Sequence, residues 1–270
     1  MTTLGASQNP AGRPLSETLR LVLGWRIYGL GVIHMAVVAL VIGSFLPGEA
    51  VPETVPGRPE LAYAAAGFML LAGVALQWRR TTAWAAAALG AYFGVAVVLV
   101  MDARLVVAHP TLYLVYESLA EQLAIAAGGL VVYAGVARID EGRAASLARA
   151  GRIAFGLCAI VFGGAHFAYM NMTAPLAPKW LPPSQLFWAY ATGVFQVLAG
   201  LAMISGVQAR LAAILLTLMY ALFAPLVHLP RVFAHPADAG AWIESATNLA
   251  LTGVAWAVAD SLARSRSEAA

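Results

Sequence analysis

The chain has 270 residues, of which 61% are hydrophobic and only 11% charged, and its formal net charge is +3. Soluble domains carry about 25% charged residues to cover their surface, so this composition excludes an ordinary water-soluble fold and makes the lipid bilayer the expected surroundings. The absence of a dense Lys/Arg block excludes a nucleic-acid interface, and a single cysteine, Cys158, excludes a disulfide or CxxC pair within the chain.

The opening segment, MTTLGASQNPAGRPLSETLR, lacks an apolar core followed by a small-residue cleavage site. No removable signal peptide is expected, and the first span should direct its own insertion. A membrane-crossing helix needs about 20 apolar residues. Eight stretches fit, over 21–45, 61–78, 82–101, 112–136, 153–171, 185–205, 209–229 and 240–259. The first holds Arg26 and His34. The third carries Ala86, Gly90 and Gly94 at steps of four, a small-residue face suited to close helix contact. It ends near Asp102, Arg104 and His109. The fourth holds Glu117 and Glu121, and the fifth Cys158 and His166. The seventh runs into FAPLVHLPRVFAHP (223–236), where Pro225 and Pro230 should bend or end the helix. That segment supplies His228, Arg231 and His235. The eighth holds Glu244 and Asn248. Trp188 and Trp242 fit an interfacial aromatic belt.

Basic residues set the expected orientation. With the amino terminus inside, the inner segments carry Arg13, Arg20, Arg79, Arg80, Arg138, Arg143, Arg149, Arg152, Arg210, Arg264 and Arg266. The outer segments carry only Arg58, Arg104, Lys179 and Arg231. Both termini are therefore expected in the cytoplasm.

One motif is written twice. RLVLGWRIYGLGVIH (20–34) and RIAFGLCAIVFGGAH (152–166) share the spacing of Arg, Gly, Gly and His. Later matches keep the same order: LLAG (70–73) with VLAG (197–200), AHP (108–110) with AHP (234–236), and ES (117–118) with ES (244–245). This predicts an all-α integral membrane protein of two four-helix repeats, 17–137 and 152–262, joined by a charged connector over 138–151. An even number of spans per unit gives both units one orientation, the parallel kind of repeat.

Rise per residue places the polar groups. His34 lies fourteen residues beyond Arg20, roughly 21 Å up the helix, and Glu117 lies at similar depth. Two rungs are expected in the first half, His34 with Glu117 and Arg26 with Glu121. In the second half His166 and Glu244 repeat the first rung. At the second, Cys158 replaces Arg26 and Asn248 stands near the place of Glu121. A joint loss of both charges is what a buried ion pair requires. Each pair reads either as a structural tie between helices or as a proton-exchanging site. His166, Glu244, His34 and Glu117 are the candidate proton relay. His228, Arg231, Arg26, Glu121 and Asn248 are the candidate binding residues. Haem between His34 and His166 is the weaker reading, because a glutamate sits at matching depth in each half. No metal-ligand tract is present.

The second half, from GGAHF (163–167) through KWLP (179–182), FWAYATGVFQVLAGL (187–201) and LVHLP (226–230), resembles the DoxX-type membrane proteins. The resemblance implies four-helix units and, in some relatives, a place in quinone-reducing or oxidant-defence systems. Relatives that use thiol chemistry need a cysteine pair, which this chain lacks. Three functions are open on this reading. The first is a subunit of an outward-facing redox system in a bacterial inner membrane, working with a membrane or periplasmic redox protein and with quinone as the candidate ligand. The second is a scaffold without chemistry. The third is a small-solute transporter.

Overall fold

The computed structural model describes residues 15–267, with side chains described between 23 and 263. The opening segment, including Arg13, and the side chains of Arg20, Arg264 and Arg266 lie outside that description.

Apolar runs become helices because a chain in lipid must satisfy its backbone polar groups internally. The long helices are α1 (Leu15–Ile42), α2 (Arg58–Ala75), α3 (Thr82–Ala108), α4 (Tyr113–Val136), α5 (Glu141–Ala168), α6 (Gln185–Ser205), α7 (Ala209–Ala234) and α8 (Ala239–Ser267). No strand occurs among the described residues. Six of the eight, α1 and α3 to α7, are long and apolar enough to cross a membrane. The sequence reading of eight spans is thus met at six. The other two lose apolarity to charge: α2 opens on Arg58 and Glu60, and α8 carries Glu244, Asn248 and Asp260.

Short connections alternate the helix directions. The Arg79, Arg80 and Arg138 connections lie at one end, and the longer 43–57 and 169–184 segments at the other, here termed the distal end. Two helices run on beyond expectation. Pro225 and Pro230 do not end α7, which passes through a π-helical stretch over Ala224–His228 and continues to Ala234. A π-helical stretch also occupies Tyr92–Asp102 of α3. Wider turns of this kind absorb a missing or displaced backbone bond.

The packing is crossed. The first helix of each half packs extensively on the last helix of the other: α1 on α8, and α5 on α4, with α5 lying as heavily on α6. Helices α4 and α8 also touch. Close approach requires small residues. A Cβ on Gly253 of α8 would stand 2.1 Å from the Tyr28 amide nitrogen of α1. In α3 the Ala86–Gly90 face meets Gly129 of α4, where a Cβ would stand 2.7 Å from the Ala86 carbonyl. Fully buried Tyr28 donates its hydroxyl to the Ile125 carbonyl of α4 at 3.0 Å, joining the same layers. The two distal turns also match: Tyr116 donates to the Pro110 carbonyl at 2.9 Å, and Trp242 to Pro236 at 3.0 Å.

Gly253→Ala is expected to lower the melting temperature of the detergent-solubilised protein by several degrees, since the new methyl meets backbone and not a flexible side chain; this corresponds to about 1–3 kcal/mol. Gly67→Ala, with nothing within 4 Å of its added Cβ, should leave the temperature unchanged or raise it by about the helix-propensity gain of 0.5–1 kcal/mol.

Candidate functional site

A cavity of about 790 Å³ opens in the second half at the distal end. Helices α5 to α8 form most of it, and α4 closes one side. Its body is apolar and aromatic, with Phe162, Trp188, Phe195 and Phe223 among the lining residues. Its polar members include Glu117 and Glu121 from α4, His166 from α5, Gln196 from α6, His228 from α7, and Glu244 and Asn248 from α8. Six of the nine residues singled out in the sequence therefore border one space.

The expected rungs are not how they meet. No hydrogen bond or ion pair within the described residues joins His34 to Glu117, His166 to Glu244, or Arg26 to Glu121. His34 faces Trp242 edge-on, with ring centroids 6.0 Å apart. Arg26 is exposed on the outside of α1. The physical reason is the crossed packing. Residue counting along a helix fixes height but not direction around the axis. With α1 on α8 and α4 on α5, the first-half glutamates turn into the second-half cavity and leave His34 and Arg26 behind.

In the cavity the Nδ1 atoms of His166 and His228 are buried and unpaired. Gln196 and the Tyr220 hydroxyl, on side chains that are each 3% exposed, face one another at the same wall. Gln196 and Tyr220 were missed in the sequence reading. An amide inside an apolar helix was the available signal for the first, whereas a tyrosine carries none. Asn248 is held by a 3.0 Å bond from its Nδ2 to the Tyr220 carbonyl. Buried Cys158 packs in the core as an apolar residue. At the mouth Arg231 binds both Glu244 and Asp238, the latter at 3.4 Å. Arg231 does not itself line the cavity; it fixes Glu244 at its rim. Trp188, expected only in the aromatic belt, lines the cavity and donates its indole N–H to Pro182 at 2.9 Å.

A second polar cluster sits at the distal end of the first half. Glu49, in the loop after α1, is 3% exposed. It accepts from the Leu46 amide at 3.0 Å and from the Tyr92 hydroxyl. Burial raises its carboxyl above the ordinary range against the lowering effect of those two bonds.

An all-helical chain with six apolar spanning helices and an acid–imidazole cavity among them defines an integral membrane protein of the helical-bundle class. The DoxX family model matches residues 147–229, which cover most of α5, all of α6 and most of α7. Over that segment the chain is DoxX-like, and it is there that the sequence resemblance was read. No curated protein and no solved structure matches the chain.

The Arg231–Glu244 contact is part-exposed, with side chains 32% and 44% accessible. A double-mutant cycle with Arg231→Met and Glu244→Gln should therefore return a coupling of about 1 kcal/mol or less, reduced further in high salt.

Proposed function

We propose that the chain crosses the bacterial inner membrane eight times, as two DoxX-like four-helix repeats of one orientation with both termini in the cytoplasm, and that it serves an outward-facing redox system. The paired 20–34 and 152–166 motifs, the matched π-helical stretches and the like packing of the two halves support the duplication. The surplus of arginine at the end opposite the cavity supports the orientation. In this reading α2 and α8 complete the spans, with Asn248 of α8 turned inward and Arg58 and Glu60 at the end of α2.

The cavity is the ligand site of this reading, and one observation carries it. Three glutamates and two histidines border a space otherwise walled by aromatic and aliphatic side chains. A ring with apolar faces and oxygen atoms at its edge fits such a lining, which makes a quinone the favoured ligand class. Reducing it takes two electrons, supplied by a partner redox protein, and two protons. Glu117, Glu121 and Glu244 can give up or take protons at its edge, and His166 and His228 can do the same or donate hydrogen bonds. Gln196 and Tyr220 stand at the same wall.

Trp188 lines the cavity, so binding of a short-chain quinone to the nanodisc-embedded protein should quench tryptophan fluorescence saturably. His166→Ala and Glu121→Gln should each weaken binding about tenfold, the value of one charge-assisted hydrogen bond. Absence of saturable quenching, or unchanged affinity in both variants, would sink the quinone reading. A scaffold would then be favoured if a partner protein still co-purified with the variants.

A further inference from the structure

The repeat frame points to a counterpart of the cavity in the first half. The register that carries Arg20 onto Arg152 carries Glu49 onto Leu181. The register that carries His109 onto His235 carries Tyr92, Asp102 and Gln122 onto Leu218, His228 and Asn248. All four second-half positions line the cavity. Their first-half equivalents gather instead around the loop after α1. Tyr92 bonds Glu49, the carboxylates of Glu49 and Asp102 act on one another, and Gln122 packs on Gly48 so closely that a Cβ there would stand 1.9 Å from its amide nitrogen. Where the second half is open and apolar, the first is closed and lined with oxygen.

No ion pair reaches this cluster among the described residues, although the Arg104 charge acts on Asp102 at longer range. Asp102 is 1% exposed, and neither of its carboxylate oxygens has a hydrogen-bond partner. Gln122 is 3% exposed, and its Oε1 is also unpaired. Of the nearby cations, Arg104 is turned to the Ala50 carbonyl and Arg58 to Glu53, at 3.1 Å. None of the ion pairs among the described residues involves Glu49 or Asp102. Two neighbouring buried carboxyl groups, one with both oxygens unbonded and neither in an ion pair, are costly unless something positive joins them. The donors are all oxygen: two carboxyl groups, an amide and a phenol. Among the described residues no three His, Cys, Asp or Glu side chains are grouped so as to hold a metal ion by themselves. That donor set suits a hard ion and not a thiolate- or imidazole-seeking transition metal.

We propose that Glu49, Asp102 and Gln122 form a site for a hard metal cation, sodium or calcium, which locks the loop after α1 onto α3 and α4. The cation neutralises the two carboxylates and takes up the free oxygens of Asp102 and Gln122. The site is separate from the second-half cavity, so this proposal and the quinone reading can fail independently.

The test is a thermal unfolding series on the full chain in nanodiscs at about pH 8, where free carboxyl groups are ionised. Choline chloride is replaced by sodium chloride at constant ionic strength, or calcium chloride is added to chelator-treated protein. One of the two cations should raise the melting temperature saturably, by roughly 3 °C or more. A response to sodium alone or to calcium alone names the ion. Asp102→Asn should raise the cation-free melting temperature and abolish the response. Glu53→Gln, which alters an exposed acid on the same loop, should keep it. A melting temperature that follows pH but ignores both cations would show that a shared proton fills the role, and would overturn the proposal. An unchanged cation response in Asp102→Asn would overturn it equally.

Discussion

Everything in this bundle depends on the crossed contact between halves. Helix α5 lies on α4 and helix α1 lies on α8, each through small residues that let backbone meet backbone. In lipid there is little hydrophobic gain from bringing helices together, so close van der Waals packing and buried hydrogen bonds must supply it. Gly253 against Tyr28 and the Tyr28 hydroxyl on Ile125 are the local expressions of that need. Because α4 docks across the chain midpoint, Glu117 and Glu121 serve a cavity otherwise built from the second half. Neither half could form that cavity alone.

This contact also explains what the sequence did and did not disclose. Apolar length located all eight helices, and six of the nine polar residues singled out within them border one cavity. The pairings failed because helical rise gives depth only. His34 and Glu117 have similar heights, yet α1 lies on α8 and α4 also lies on α5, so the two side chains face different neighbours. The extension of α7 past Pro225 and Pro230 was hidden for another reason. Proline removes an amide donor, but a wider π-helical turn tolerates that loss. The Glu49 cluster was illegible because a loop glutamate reads as solvated until the loop is seen folded inward.

Under the proposed repeat frame the two halves would have diverged toward different ends. The second half has apolar residues at Leu181 and Leu218, which leaves room for a guest of several hundred cubic ångströms. The first has Glu49 and Tyr92 in the corresponding register and fills the space from its own chain. One half would then accept a ligand while the other holds the loop and α4 in place. The order of the first half matters to the cavity, since α4 carries glutamates to one cluster's edge and Gln122 to the other's.

Cross-linking of α4 to α5 tests the crossed packing most directly. A Cβ at Gly151 would stand 2.6 Å from Val131 Cγ2, which brings the two Cβ positions within the range a disulfide needs, about 4 Å. In a Cys158→Ser background, Val131→Cys with Gly151→Cys should form an intramolecular disulfide on mild oxidation, detected by peptide mass after digestion. Efficient closure is the predicted result. Failure of that pair to close, in protein that still folds and inserts, would show that α4 does not lie on α5 and would remove the first-half glutamates from the cavity.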